Sequence, residues 1–332
     1  MAYIGNMYGP AFTFLGVQSC DLEVPESYAG ADVVIIGAPI DSGTSFRSGA
    51  KFGPQAIRGT DYLPHDGERP HMALRTDGLK DLKVVDAGDL LMPPDDLVKA
   101  LKLLEAATEK ITASGAIPLI LGGDHSITSA DVVGIANKMG WGKVSMIHFD
   151  AHADTGDTQN GSLVGHGTPM RRLIESGAVR GDRFLQLGLR GYWPEPVTLD
   201  WMRDQKMRSY EMTEIHHRGL KAVLDESFAT LTDGCDGVFL SVDIDVVDPG
   251  MAPGTGTPEP GGMTSRELLE AVRRICLELP VVGIDVVEVA PAFDSSDITA
   301  MLANRVVLEA LSAIALRRKG GIYSPVRNLL DR

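Results

Sequence analysis

Cysteine is scarce in this chain of 332 residues: Cys20, Cys235 and Cys276 are an odd set with no Cys-x-x-Cys spacing. That argues against a disulfide framework and against a thiolate-bound structural zinc, and it suits a reducing compartment. Positive charge is in short supply, with 31 Lys and Arg against 45 Asp and Glu and a formal net charge of -14. Such a balance disfavours nucleic acid or an anionic membrane surface as partner. It suits a cationic substrate, and equally it suits plain acidic solubility. No apolar run is long enough to cross a bilayer, and the opening Met1-Ala2-Tyr3-Ile4-Gly5-Asn6 has no basic stretch leading into an apolar one. The expectation is a cytoplasmic protein.

The chain has an ordinary globular composition, 44% hydrophobic and 23% charged, and enough length for one large α/β domain or two small ones. Short Val- and Ile-rich runs predict strands at 33–37, 83–86, 117–121, 144–150, 183–189, 207–210, 237–245 and 281–287. Several are apolar on both faces, as where helices cover a sheet from two sides. Between them Leu97, Leu101 and Leu104 mark one helix face, Leu268, Val272 and Ile275 a second, and Met301, Leu308 and Leu311 a third. About eight strands alternating with helices imply right-handed crossovers and a mainly parallel sheet. With no repeat, low-complexity tract or linker, one domain over 1–332 with an N-terminal arm over about 1–30 is the simplest organisation.

Parallel sheets bind ligands at the carboxyl ends of their strands, where this sequence concentrates its chemistry. Gly122-Gly123-Asp124-His125 closes the third predicted strand and Asp150-Ala151-His152-Ala153-Asp154 the fourth; Asp243-Ile244-Asp245 closes the seventh and Glu288 the eighth. Spacing by two on an extended backbone sends Asp150, His152 and Asp154 to one side, and Asp243 and Asp245 likewise. With His125, four carboxylates and two imidazoles gather at one edge. Acids so placed repel one another unless cations lie between them. Two ions sharing two bridging carboxylates use all six groups. Mixed oxygen and imidazole donors suit Mn²⁺, with Ni²⁺, Co²⁺, Fe²⁺ or Zn²⁺ as alternatives. A lone Asp-x-Asp is more often a cap or turn; the three clusters together carry the reading. His148 shares the ligands' phase but lies inside its strand, and reads as a packed histidine supporting them. Asp124 reads as structural, and His65, His71, His216 and His217 as surface residues.

These motifs, with Ser241-Val242-Asp243-Ile244-Asp245-Val246-Val247-Asp248-Pro249, the loop 252–262, Gly53-Pro54-Gln55-Ala56-Ile57-Arg58 and Asp285-Val286-Val287-Glu288-Val289-Ala290-Pro291, resemble the arginase–agmatinase ureohydrolases over nearly the whole chain. The resemblance implies a three-layer α/β/α domain, an Mn²⁺ pair, and homotrimers or homohexamers. It places one ion on His125, Asp150, Asp154 and Asp243, and the other on Asp150, His152, Asp243 and Asp245. It also implies a hydrolase of the C–N bonds of linear amidines, releasing urea or an analogue and an amine. In that chemistry Glu288 pairs with the guanidinium, Asp154 moves a proton from the attacking water to the leaving nitrogen, and His166 relays protons to bulk water. The plainer roles are a solvated rim carboxylate for Glu288 and a helix-start residue for His166, beside Thr168-Pro169.

The loop 155–165 lacks the arginase pattern, and Tyr192 and Trp193 stand where arginases carry acids, so arginine is disfavoured as substrate. The stretch Gly165-His166-Gly167-Thr168-Pro169 is closer to the agmatinase and guanidino-acid hydrolase branch. Agmatine, 4-guanidinobutyrate or 3-guanidinopropionate are the expected substrates, with Asn160 and Trp193 as candidate contacts to the tail. Trp193 serves as well as a packing residue; if it walls the pocket, an alkylated guanidine or biguanide fits. A one-zinc amide hydrolase of the same broad fold is the nearest rival, and His125 and Asp245, as second-ion ligands, count against it. A non-catalytic subunit, or a partner in a hetero-oligomer, is the rival of another class.

Overall fold

The computed structural model describes residues 7–9, 12–63 and 68–326. Among these residues nine strands form one sheet: β1 (Gln18–Ser19), β2 (Val33–Ala38), β3 (Val84–Asp89), β4 (Ile117–Gly122), β5 (Val144–Phe149), β6 (Val179–Leu189), β7 (Arg208–Glu211), β8 (Gly237–Asp243) and β9 (Val281–Val287). Their order is β1-β3-β2-β4-β9-β8-β5-β6-β7, and the pairings are parallel. Parallel pairing puts every carboxyl end on one edge. The helices are α1 (Gly53–Gly59), α2 (Gly78–Asp81), α3 (Leu97–Ala113), α4 (Thr128–Met139), α5 (Pro169–Ser176), α6 (Pro196–Asp204), α7 (Met212–Arg218), α8 (Leu220–Thr232), α9 (Ser265–Glu278) and α10 (Ile298–Arg318).

Alternation along β2 shows why three layers form. Val33 and Ile35 face a core shared with α1 and α7 to α10, whereas Val34 and Ile36 face one shared with α3 and α4. A third cluster packs α4 and α5 on Val144, Met146, Phe184 and Phe239. Helices cover both faces of the central strands, which therefore read mainly as continuous apolar runs. The expected three-layer α/β/α fold is present.

Several local expectations change. The short edge strand β1 had no sequence signal, since two residues pairing with Val85 and Asp86 carry no periodicity. It lies in the predicted N-terminal arm, which is tied to the sheet edge; Phe14 and Leu15 are buried in the core. The last helix is not one-faced: Leu311 is buried but Met301 and Leu308 are only half-buried, and most of α10 is enclosed all round. It is the one helix among the described residues long and apolar enough to cross a membrane, and 78% of that window is buried inside the protein. A helix apolar all round is here a core helix. His71, expected at the surface, is half-buried, with Nε2 3.0 Å from Glu309 and Nδ1 accepting from the Ala73 and Leu74 N–H groups. His216 and His217 are exposed as expected, and His65 lies outside the described residues.

Candidate metal centre

Four neighbouring strands, β4, β9, β8 and β5, deliver the charged side chains. The turn after β4 is tight: a Cβ on Gly123 would stand 2.1 Å from the Ile40 carbonyl oxygen, so only glycine admits that approach. Asp124 then accepts from the Ser126 N–H at 3.0 Å and the Gly43 N–H at 2.7 Å, which fixes the short turn carrying His125 and bears out its structural role.

His125 Nδ1 lies 3.0 Å from Asp150 Oδ2, 3.2 Å from Asp154 Oδ2 and 3.0 Å from Asp243 Oδ2. His152 Nδ1 lies 3.2 Å from Asp245 Oδ2 and 3.4 Å from Asp150 Oδ1. Asp150 therefore offers one oxygen toward each imidazole, and the six predicted residues do come together. The local route differs from the extended backbone predicted for them. β5 ends at Phe149, and Asp154 sits at φ 53. After Asp243 the chain enters a 3₁₀ turn, Ile244–Val246, in which the Asp243 side chain accepts the Asp245 N–H. Turn geometry gathers these acids, not strand alternation.

The cluster fits cations on its own electrostatics. Burial, with Asp245 and Asp150 nearby, pushes the Asp243 carboxyl well above the usual range; burial and Asp150 likewise raise Asp245. Burial opposes charge on His125, but Asp150, Asp154 and Asp243 outweigh it and hold its pKa well above the ordinary value. His152 is raised in the same way by Asp245 and Asp150, against its burial. The acids thus draw protons onto each other and onto the imidazoles. Dications neutralise such a cluster with no protons at all, and hard oxygens with imidazole nitrogen are suitable donors.

Beneath the acids runs a polar row that the sequence reasoning largely missed. Gln186, His148, Ser241 and Asp285 are register partners across β6, β5, β8 and β9, all fully buried. His148 Nε2 lies 2.9 Å from Asp150 Oδ2, and its Nδ1 is 3.1 Å from Gln186 Nε2. His125 Nε2 is 2.9 Å from Ser241 Oγ, while Thr128 Oγ1 donates to Asp285 at 2.7 Å. The signal was available: His148 and Ser241 each precede a predicted ligand by two residues in a strand.

Glu288, at φ 62, is 1% exposed, which rules out a solvated rim position. Its Oε1 accepts the His125 N–H at 2.9 Å and lies 2.9 Å from His166 Nδ1, while its Oε2 is buried with no hydrogen-bond partner. A Cβ on Gly256 would come 3.6 Å from that oxygen and 2.8 Å from the Arg47 carbonyl, so only glycine admits this approach of the 255–257 and 47 backbones beside Glu288. Burial acts to lower the His166 pKa, but Glu288, helped by Asp154 and Asp124, overrides it and raises it to about 9. Asn160 is exposed on the 159–162 turn and Trp193 is 69% exposed; no hydrogen bond or ring contact ties either side chain to the cluster among the described residues. Arg190 donates to the carbonyls of Gly188, Asp245, Val246, Glu259 and Pro260 and is committed to holding these loops.

The sequence model of the arginase family matches residues 31–313. The chain belongs to the arginase family. Among curated proteins it is 39% identical over 295 residues to a mitochondrial agmatinase of Gallus gallus, covering 88% of this chain and 84% of that one. Among solved structures it resembles the proclavaminate amidino hydrolase of Streptomyces clavuligerus, with TM-score 0.83, 36% identity, and 93% and 99% of the two chains covered. A formiminoglutamase of Trypanosoma cruzi, solved with Mn²⁺, aligns with TM-score 0.80 at 26% identity over 92% and 99% of the chains. The expected arginase-like fold and the expected class, a hydrolase of guanidino C–N bonds, are both borne out.

Proposed function

We propose that this arginase-family chain hydrolyses a small linear guanidine with water, releasing urea and an amine, at a pair of divalent ions. His125, Asp150, Asp154 and Asp243 hold one ion; Asp150, His152, Asp243 and Asp245 hold the other. The Oδ1/Oδ2 split of Asp150 between two imidazoles supports the bridging role. Mn²⁺ is the preferred metal, with Ni²⁺ or Co²⁺ as alternatives. When bound, such a pair acidifies the attacking water and stabilises the charge that develops on it.

The observation that carries the reading is the Glu288 carboxylate. One oxygen is pinned by the His125 N–H and faces His166; the other is buried, unpartnered and close to Gly256. A buried acceptor without a donor is costly, and a planar guanidinium supplies that donor in a fixed plane. Asp154 takes a proton from the attacking water and returns it to the leaving nitrogen. His166 holds the opposite side of Glu288 and exchanges protons with solvent.

Agmatine, 4-guanidinobutyrate and 3-guanidinopropionate are the substrates this reading favours, with Asn160 and Trp193 as contacts to the tail. Arg190, committed to five loop carbonyls, is not available for a substrate carboxylate, which favours the cationic tail of agmatine. One observation favours a second reading, an alkylated guanidine or biguanide: Tyr192 and Trp193 are 97% and 69% exposed in the loop after β6, an apolar surface near a strand end. Urea release measured over these compounds and arginine, with Mn²⁺ and Ni²⁺ loaded separately, tests both. Agmatine should lead; turnover of arginine alone would overturn the substrate assignment. A homotrimer or homohexamer completes the proposal, and the three free cysteines support a reducing compartment such as the cytoplasm. A hetero-oligomer with a second subunit is the alternative assembly.

A further inference from the structure

The segment 40–49 folds over the strand ends, and two of its residues close on His166. The His166 N–H donates to the Gly43 carbonyl at 3.0 Å. The Ser45 N–H points at His166 Nε2 at 3.0 Å, and the Ser45 Oγ lies 2.6 Å from the same nitrogen. Gln159 braces the arrangement, donating to the Gly43 carbonyl at 2.7 Å while accepting the Gly167 N–H at 2.8 Å. The imidazole therefore has an inner nitrogen, Nδ1, on Glu288 and an outer one, Nε2, on Ser45. His166 is only 8% exposed, whereas Ser45 is exposed.

A ring nitrogen that gains and loses a proton needs a partner in both states. Bare Nε2 has a single lone pair and needs a donor; protonated Nε2 is a donor and needs an acceptor. Ser45 Oγ can do both, donating to the bare nitrogen and accepting from the protonated one, while the fixed Ser45 N–H favours the bare state and so makes the proton on Nε2 a transient one. A residue that only fixed the ring would need one of these.

We propose that Ser45 is the relay through which His166 passes protons to bulk water; this rests on the reading of His166 as the proton carrier. With the Ser45 N–H on Nε2, the neutral ring carries its proton on Nδ1, facing Glu288. It gives that proton inward to the product amine as Nε2 takes the Ser45 hydroxyl proton, which a solvent water replaces, leaving hydroxide. Nδ1, now bare, then takes a proton from the next attacking water, and the ring is cationic. The Nε2–H bond then breaks as a bond to Ser45 Oγ forms, and the original hydroxyl proton leaves Ser45 for a solvent water. Serine ends neutral, the water becomes hydronium, and the ring is left as the Nδ1–H tautomer with its bare Nε2 facing the Ser45 N–H. Among the described residues no hydrogen bond or ion pair joins the Ser45 side chain to a metal ligand, so it acts through His166 as a positioning and relay residue.

The test compares Ser45→Ala, Ser45→Thr, His166→Ala and the Ser45→Ala/His166→Ala double variant, each metal-loaded, on the guanidine the wild type turns over. Ser45→Ala keeps the backbone N–H and with it the ring position. The relay predicts a kcat loss of about ten-fold with KM nearly unchanged, less than the ~10²–10⁴-fold that a general acid or base contributes. Ser45→Thr should restore kcat, added imidazole should recover part of the Ser45→Ala loss, and the double variant should be no slower than His166→Ala. Metal content should match the wild type in all four. Wild-type kcat in Ser45→Ala, or losses that multiply in the double variant, would overturn the relay while leaving His166 in its role. Wild-type kcat in His166→Ala would remove that role and the relay together.

Discussion

Asp86 and Asp89, near the carboxyl end of β3, are as deeply buried as Asp150 and Asp245, which follow β5 and β8. The first pair is answered by the chain itself. Arg58, 1% exposed on α1, donates to Asp86 through Nε at 2.9 Å and Nη2 at 3.0 Å and also pairs with Asp89; the Phe14 N–H adds a donor to Asp86. Among the described residues no guanidinium or ammonium is paired with the second group, only the imidazoles of His125, His148 and His152, which carry positive charge only when protonated. Burial of charge is the same in both regions; the source of compensation differs. One is a finished ion pair serving structure, the other a set of ligands whose balance comes from outside the chain. Unbalanced buried charge is what marks a binding site.

The largest effect should come from Asp245→Ala. It removes a ligand of the second ion, so metal analysis of the purified protein should fall from two ions to one and turnover should nearly vanish. Two ions and unchanged activity would refute its role as a ligand. The same change should stabilise the metal-free protein: burial and Asp150 hold the Asp245 carboxyl above its usual value, so keeping it ionised at neutral pH works against folding. Arg58→Met should do the opposite. It strands two buried carboxylates and should cost roughly 3–5 kcal/mol in urea unfolding, while metal content of the folded fraction stays at two. If Arg58→Met instead stripped the metal and left stability intact, the division between the two clusters would fail. The smallest effect is expected for Ser241→Ala, which frees Nε2 of the ligand His125 while leaving all six ligand side chains in place. Ion affinity in a chelator competition should drop about 10–100-fold; an unchanged affinity would show that the polar row below the acids is only packing.

Much of this was legible because it depends on residue order alone. Short Val- and Ile-rich apolar runs fall where β2 to β9 form, with ends shifted by a few residues, and the acids and histidines cluster at strand ends however each turn is built. The prediction that Asp243 and Asp245 share a side was right, though the route is a 3₁₀ turn with an Asp243 cap and not an extended strand. Less was legible where partners are distant in sequence. Ser45 lies 121 residues from His166, and His125 lies 116 from Ser241; no local pattern links such pairs. The all-round burial of α10 likewise depends on the helices around it.

What the sequence determined on its own is the inventory and the edge: which groups exist, and that a parallel sheet sends them to one side. That follows because strand periodicity and crossover handedness are local properties of the chain. The tertiary structure alone decided which buried charges are balanced and which are not. Arg58 could have served either cluster as far as the sequence goes. Only packing α1 against the end of β3 commits it to Asp86 and Asp89, and so leaves the acids after β5 and β8 with positive charge still to find.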